Sequence, residues 1–486
     1  MGLGAFDFWQ WLALIQYELL LFAGVFFLIG ALDDIFVDAV WLWLKLSGKA
    51  KTSSVERDKL ASRPLNGRVA VFVPAWREAG VIGDTLRHAL HVWKQTDLRV
   101  YVGCYGNDPE TIAAAMEAAA SLGRRGDNRL RIVIHERHGP STKADCLNRL
   151  YQALRDDERR TGQLFASVVF HDAEDMVDPA GLSLLDNEIA AGADFVQLPV
   201  EPMVQKSSRW LGSHYCEEFA EAHAKSMVVR SALGAAIPGA GVGSAISRRA
   251  LHQLSRRHVD GSPFEAESLT EDYELGLAVA ELGGTSRFVR ARGEDGRVVA
   301  TRAYFPNELS HVVQQKTRWI HGIALQGWDR LGWRGNSIEA WMRARDRRGP
   351  FAALVLAIGY TLLVLTLLLW SAAALGLAPK LELTPLLSAL IALNMTAFAW
   401  RVLLRFVFTA RAHGISEGLR ALVRIPVTNV VSIMAGRRAV TAYVTNLLGG
   451  GIVWNKTPHF KHPATQGLPT ISGSGRDPYA FARPPG

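Results

Sequence analysis

Trp11 to Leu32 reads WLALIQYELLLFAGVFFLIGAL, and two later stretches, Phe351 to Leu375 and Pro385 to Phe408, are nearly as apolar. A helix needs about 20 mostly apolar residues to cross a bilayer, and all three reach that length. Gln16 and Glu18 lie near one end of the first, placed to snorkel or to pair inside a bundle. No Lys or Arg precedes it, so it lacks the charged start of a signal peptide and reads as an uncleaved anchor. The two later stretches are broken only by Arg401 and Arg405, and their link, Gly376 to Thr384, carries only Lys380 and Glu382 as charges. So short a link predicts an antiparallel pair of spans.

The rest of the chain is not membrane-like. Of 486 residues, 49% are hydrophobic and 21% charged, which excludes a disordered chain. A mean hydropathy of +0.08 argues against a pure membrane bundle and for a mosaic of lipid and water segments. At about 150 residues per domain, the length suggests two or three units. Three cysteines, Cys104, Cys146 and Cys216, cannot build a disulfide framework, and a reducing compartment fits them. No repeat of solenoid period is present.

The net charge of +8 suits nucleic acid, anionic lipid or phosphorylated substrates, and its placement decides among them. Lys45, Lys49 and Lys51 follow the first span; Arg343, Arg345, Arg347 and Arg348 precede the second; Arg405, Arg411 and Arg420 close the third. The positive-inside rule puts all three clusters in the cytoplasm and the N-terminus outside. The expected organisation is an anchor with an interfacial helix over 1–49, a cytoplasmic domain over 50–349, a span pair with interfacial helices over 350–462, and a disordered tail over 463–486. The expected interfacial helices are Asp38 to Lys45, Arg424 to Arg438 and Ala439 to Trp454, the last broken at Gly449-Gly450-Gly451. Pro, Gly and Ser dominate the tail after His462.

Between the spans the pattern is α/β. Strands are expected at Val69 to Pro74, Leu98 to Cys104, Leu130 to His135 and Ala166 to Phe170, with helices at Glu78 to Trp93, Thr111 to Leu122 and Lys143 to Arg155. Alternation of this kind predicts a largely parallel sheet, which binds ligands beyond the carboxyl ends of its strands. Chemistry-bearing residues stand there: Glu78 after the first strand, Asn107-Asp108 after the second, Lys143 and Asn148 before the fourth, and Asp172, Glu174 and Asp175 after the fourth. Singly, such acids are more often turn formers or helix caps, as at Asp178-Pro179. Three carboxylates within four residues repel unless a cation or solvent relieves them, and hard divalent ions favour such oxygens. Neither G-x-x-x-x-G-K-[ST] nor a strand-to-helix G-x-G-x-x-G occurs, which removes a P-loop and a dinucleotide fold. Ser268 and Glu271 fit a capping box, which leaves Asp272 unexplained. Gln314 to Trp319 reads either as a basic amphipathic helix on the membrane or as an Arg318 for phosphate beside a Trp319 for a sugar face.

D-A-E-D at Asp172, T-E-D at Thr270 and Q-x-x-R-W at Gln315, in that order, resemble the family 2 glycosyltransferases of the membrane-embedded, processive kind, such as cellulose and hyaluronan synthases. The resemblance covers about Arg68 to Trp319 and the flanking spans. Within the family, the H-D-A-E-D-M-V-D-P stretch, Tyr105-Gly106-Asn107-Asp108 and W-N-K-T-P-H at Trp454 to His459 resemble the bacteriophage N4 adsorption protein B group. The resemblance implies a GT-A fold, a Rossmann-like nucleotide-sugar domain. It implies that Glu78 and Asp108 contact the nucleoside, usually uridine. Lys143 would approach the nucleotide or its phosphates, with Asn148 on the same helix. Asp172 and Glu174 would match the D-x-D metal motif for Mg²⁺ or Mn²⁺. Glu174 departs from the usual Asp, so Asp175 would share the metal. Asp272 would be the catalytic base, and Gln315, Arg318 and Trp319 would bind pyrophosphate and acceptor. Gly239 to Gly243 resembles the small-residue acceptor loop.

The expected function is inverting, metal-dependent transfer from a nucleoside-diphosphate sugar to a growing polysaccharide exported across a bacterial inner membrane, with a periplasmic or outer-membrane export partner. A single transfer to a lipid or lipid-linked acceptor is the first alternative, and a non-catalytic membrane scaffold the second. Nucleic acid has no support, since no recognised module is present. Reporter fusions after Lys51 and at Lys380 are expected to lie on opposite sides of the membrane; the same sidedness at both points would overturn the three-span orientation.

Overall fold

The computed structural model describes residues 7–50, 52–122, 128–449 and 462–465. The Trp454 to His459 stretch and the tail beyond Thr465 lie outside the described residues. Helix α1, Phe8–Leu46, begins at an Asp7 N-cap whose side chain accepts from Gln10 N, in a capping box. It runs on through Asp38 to Lys45, so the expected interfacial helix there is a continuation of α1. No proline interrupts α1, and its two isolated glycines, Gly24 and Gly30, do not stop a helix.

The domain follows. Its central sheet has strands β1 Val69–Pro74, β2 Leu98–Tyr105, β3 Leu130–His135, β4 Ser167–Phe170, β5 Phe195–Gln197, β6 Ser244–Ser247 and β7 Ser286–Phe288. Their spatial order is β3-β2-β1-β4-β6-β5-β7, with all neighbours parallel except those of β6. The alternation within β1 sets the two layers. Val69, Val71 and Val73 face one core with Leu86 and Leu90 of helix α2, Ile82–Val92, and with Ala115 of α3, Pro109–Ser121. Ala70 and Phe72 face the other, with Leu147, Leu150 and Leu154 of α4, Lys143–Thr161. Full burial of each large apolar side chain contributes about 1.5–3 kcal/mol. Asp178, read from sequence as a helix cap, instead pairs with two buried guanidinium groups, Arg57 at 3.1 Å and Arg302 at 3.5 Å. It also accepts from Ala180 N, and the helix that follows, α5 Gly181–Ala190, has no side-chain cap.

Helices α6 His214–Glu221, α7 Glu271–Glu281, α8 Leu309–Ile320 and α9 Ser337–Arg347 carry the chain to the membrane segments α10 Gly349–Ala374 and α11 Pro385–His413. Both are long and apolar enough to cross a bilayer, as is α1. A short link, 375–384, joins α10 to α11, and α1 packs against both. Gln16 Nε2 donates to Thr366 Oγ1 on α10 (2.8 Å), and Asn394 Nδ2 on α11 donates to the Gly24 carbonyl (2.9 Å). Gly24 lies against Leu390, and Gly359 against Phe27. Small residues let the helices approach where lipid supplies no hydrophobic drive. The two interfacial helices expected after Arg424 form instead one helix, α13 Ile425–Leu447, preceded by α12 Ile415–Val423 at a 56° bend. As a bent pair they are long and apolar enough for a fourth crossing.

Ion pairs join these helices to the domain. Asp33 and Asp34 on α1 meet Arg345 and Arg348, with Asp34 also 3.7 Å from Arg401. Asp38 meets Lys225 and accepts from Trp400 Nε1 at 2.8 Å. Glu221 pairs with Lys225 (2.6 Å) and Arg401 (2.7 Å). Glu217 pairs with Arg405 and Arg424, each at 2.7 Å, and Arg424 is fully buried. Glu217→Ala would leave those cations without their shared carboxylate, at a cost of about 3–5 kcal/mol. A clear fall in the thermal midpoint in detergent is the expected result; an unchanged midpoint would show that the cluster is not needed for docking.

Candidate active site

A cavity of about 170 Å³ opens where the sheet places its ligand crevice, beyond the carboxyl ends of β1 and β4. Its wall is built from Pro74 to Glu78 after β1, Asp172 to Asp175 after β4, Ala240 to Val242 before β6, the starts of α4 and α7, and the last turn of α8. Thr142 caps α4 by accepting from Asp145 N at 3.1 Å, which fixes the next residue, Lys143, at the cavity. Lys143 Nζ lies 2.5 Å from Asp172 Oδ1, 3.8 Å from Glu271 Oε1 and donates to the Gly241 carbonyl at 3.3 Å. Burial works against the Lys143 charge, but Asp172, Glu271 and Asp272 outweigh it and hold the ammonium above its ordinary range. Burial also raises both α7 acids, against the pull of Lys143: Asp272 stands above the usual carboxylate value, and Glu271, with Asp272 beside it, reaches about 7.

Asp272 is held close by glycine. Its Oδ1 accepts from Tyr273 N at 2.8 Å. A Cβ on Gly241 would come within 2.6 Å of Asp272 Oδ2, and one on Gly239 within 2.5 Å of the Asp272 carbonyl. Gly241 also has φ +81°, a left-handed backbone that side chains resist. The expected capping box at this helix start does not form. Thr270 is the N-cap, Ser268 Oγ donates to Glu274 Oε1 (2.7 Å), and Glu271 faces the cavity. Glu271 is therefore a cavity acid that the sequence reading assigned to structure alone.

Glu78, Lys143, Asp172, Glu174, Asp272, Gln315, Arg318 and Trp319 all line the one cavity. Gln315 Oε1 and Arg318 Nε are buried with no hydrogen-bond partner among the described residues. Trp319 stands edge-on to Tyr215, 5.9 Å between centroids. Its helix is not a membrane-surface helix, since Gln315 and Lys316 are buried and Lys316 pairs with Glu218 at 2.5 Å.

Two of the residues singled out from sequence lie off the cavity. Asp108 caps α3 by accepting from Thr111 N (3.4 Å), and its Oδ2 accepts from Arg77 N (2.6 Å). Arg77 has φ 54°, so Asp108 secures a left-handed turn in the loop that carries Trp76 and Glu78. Asn148 donates to the Phe264 carbonyl (2.9 Å) and accepts from Phe264 N (3.1 Å). Neither Asp108 nor Asn148 lines the cavity. Asp175 lines the cavity, and its Oδ2 accepts from Asp172 N and meets His171 Nδ1, both at 2.9 Å, so that oxygen closes its own loop. Trp76 and Tyr105, edge to face at 5.0 Å, also line the cavity, and Gly139 lies against the Trp76 indole. The sequence signal for that wall was an aromatic residue at or just after a strand end.

Among the described residues no group of three or more His, Cys, Asp or Glu is arranged to hold a metal. Asp172 and Glu174 nonetheless fit one, as two half-exposed oxygen donors on the cavity wall. Mg²⁺ typically takes one or two carboxylates and completes its shell with water and phosphate.

Residues 66–322 match the family model described as glycosyltransferase like family 2. The chain belongs to that family. Its domain has the GT-A arrangement, a mostly parallel sheet with the acidic loop after β4. The chain is 32% identical over 480 residues to bacteriophage adsorption protein B of Escherichia coli K12 and to bacteriophage N4 adsorption protein B of E. coli O157:H7. Each match covers 93% of this chain, which spans 62% of the length of these relatives. Among solved structures, mannosyltransferase PcManGT from Pyrobaculum calidifontis, in complex with GDP-Man and Mn²⁺, is 18% identical with a TM-score of 0.49, over 85% of this chain and 99% of that one. A glucosyl-3-phosphoglycerate synthase from Mycobacterium tuberculosis, with Mn²⁺, UDP and phosphoglyceric acid, is 16% identical with a TM-score of 0.34, over 59% of this chain and 88% of that one.

Gly241→Ala tests the close approach to Asp272. Its backbone strain is about 1–2 kcal/mol, which a folded domain can absorb. The expected result is a protein that still folds, by thermal unfolding, with nucleoside diphosphate release reduced tenfold or more, on the order of one displaced catalytic contact. Wild-type release would show that the bare Cα has no role in catalysis.

Proposed function

We propose that this chain is an inverting, metal-dependent membrane glycosyltransferase. It moves a sugar from a nucleoside-diphosphate donor, UDP in the first instance, to a growing glycan on the cytoplasmic side of a bacterial inner membrane, for export. The observation that carries the reading is the meeting of Lys143, Asp172, Asp272 and Arg318 on one cavity at the carboxyl ends of the strands. The reaction displaces a nucleoside diphosphate from a sugar carbon by an acceptor hydroxyl. The hydroxyl is a poor nucleophile, and the leaving group gains negative charge. Asp272 accepts the hydroxyl proton; a positioned base of this kind contributes about 10²–10⁴-fold. Its raised affinity for protons suits that task. Glu271, near 7, is protonated for part of the time at neutral pH, which relieves Asp272 of a full like charge.

Lys143 and the unspent Arg318 Nε face the leaving diphosphate, and Trp319 offers the acceptor sugar a flat apolar face. Asp172 and Glu174 would hold a Mg²⁺ or Mn²⁺ ion, which when bound supplies positive charge to the departing phosphates. With Asp272 as base, attack is direct and inverts the sugar carbon. Trp319 packs with Val431 and Ala435 of α13, so the acceptor wall borders the membrane helices. That contact also favours a second reading, transfer to a lipid-linked acceptor; a single product of defined mass in place of a polymer ladder would select it. A polymer, by contrast, calls for a periplasmic or outer-membrane export partner.

The test is release of nucleoside diphosphate from a panel of donor sugars by the purified chain. Asp272→Asn is expected to keep donor binding and lose transfer by about 10²-fold or more, and near-wild-type turnover would reject Asp272 as base. EDTA is expected to stop turnover, with Mg²⁺ or Mn²⁺ restoring it; full activity in the chelator would reject the metal role.

A further inference from the structure

Most cations where the helices meet the domain have a carboxylate. Four do not. Lys45 is in the last turn of α1, Arg411 in the last turn of α11, and Arg290 and Arg292 flank Ala291 on the domain. Among the described residues none of the four has a carboxylate within 4.0 Å, whereas Arg345, Arg348, Arg401, Arg405 and Arg424 are all paired. The backbone holds Lys45, Arg290 and Arg292 together. Ser53–Ser54, just after α1, pairs in parallel with Ala291–Arg292. Val55 N donates to the Arg292 carbonyl (2.8 Å), Arg290 Nη1 to Thr52 Oγ1 (3.1 Å) and Lys45 Nζ to the Ala50 carbonyl (3.2 Å). Lys45 is within electrostatic reach of Arg290, Arg292 and Arg411.

Like charges gathered at a partly buried place repel unless an anion joins them. Arg290 records the strain: burial, with Arg292 and Arg411 adding to it, brings it down to about 10. The acid in reach, Glu201, is already committed to Arg302 at 2.7 Å. Leu42, Trp43 and Leu46 on the same turns of α1 are exposed, and Lys49 Nζ sits 4.5 Å over the Trp43 ring. Apolar side chains next to unpaired cations at the end of a span are what a phospholipid meets with its tails and its phosphate.

We propose that Lys45, Arg290, Arg292 and Arg411 form a binding site for the phosphate of an anionic phospholipid headgroup at the domain–membrane junction. The site lies apart from the catalytic cavity, none of whose lining residues it uses. It rests on the reading of α1 and α11 as spans. Arginine and lysine near a membrane surface each strengthen binding to anionic lipid severalfold, so losing two should weaken it on the order of tenfold.

The test uses the whole chain in neutral detergent, titrated with phosphatidylglycerol, with phosphatidylcholine, and with inorganic phosphate, and followed by the thermal midpoint. Bound ligand raises the midpoint of the state it binds. Phosphatidylglycerol is expected to raise it at roughly tenfold lower concentration than phosphatidylcholine, and R290Q/R292Q to remove most of that difference. R290K/R292K, which keeps the charge, should restore it and guard against a merely misfolded variant. Equal response to both lipids, or an undiminished preference in R290Q/R292Q, would overturn the site. An equal response to inorganic phosphate would overturn the lipid assignment in favour of a soluble phosphate ligand. Flotation with phosphatidylcholine vesicles separates the two premises: a chain that fails to float fails as a membrane protein, whereas one that floats without headgroup preference fails only here.

Discussion

The acids on α1 hold the two halves of this protein in register. Apolar packing joins α1 to the domain, with Val37 and Leu44 clustered with Val229, Ala235 and Met342, and the paired charges beside it fix the relative position. Asp33, Asp34 and Asp38 lie on one side of α1, and each reaches a cation from a different part of the chain: Arg345 and Arg348 at the approach to α10, Arg401 on α11, Lys225 on the domain. Glu217 and Glu221 extend the same network along α6 to Arg401, Arg405 and Arg424. Buried ion pairs add little net stability, because desolvation offsets their attraction. They do penalise any arrangement that separates them. The network therefore specifies one docking geometry without adding much to the depth of the fold.

That geometry bears on chemistry through α8. Gln315, Arg318 and Trp319 form one wall of the cavity, while Lys316 on the same helix is tied to Glu218 of α6. Val312 and Val313 share an apolar cluster with Val431 and Ala435 of α13. The wall proposed for the acceptor is thus fixed by elements that are themselves fixed by the membrane-end charges. The wall proposed for the donor is fixed by the sheet, through Lys143 at the start of α4 and Asp172 after β4.

The parts legible in the sequence were those with a local cause. Short β-branched runs became strands within a residue or so, and three apolar stretches became the three long helices. Asp172, Asp272, Gln315, Arg318 and Trp319 stand out through motif order and Lys143 through its place before the fourth strand, and all six line one cavity. What escaped depended on partners distant in sequence. Asp108 looks like a ligand until Arg77 N and Thr111 N are seen to fill it, and Asn148 until Phe264 is. Glu271 looked like a capping residue because Ser268 stands three positions before it, yet Ser268 bonds to Glu274 one turn on. The run from Arg424 seemed too short to span because its arginines read as ends. Arg424 is in fact buried on Glu217 and Glu417, and the helix continues past Arg438.

The charge of the cavity explains why so many acids can stand around a site proposed for a diphosphate. Its wall carries six carboxyl side chains, Glu78, Asp172, Glu174, Asp175, Glu271 and Asp272, against two cations, Lys143 and Arg318. A doubly charged leaving group would be repelled from such a wall if all six were ionised and unaided. Asp175 is turned to its own loop, and Glu271 holds its proton near neutrality. Lys143 and Arg318 then stand against Glu78, Asp172, Glu174 and Asp272. A divalent ion held by Asp172 and Glu174 would offset those two carboxylates and supply positive charge to the diphosphate. On the proposed reading the acidic wall would make donor binding depend on the metal, and the apolar Trp319 side would leave the acceptor free of it.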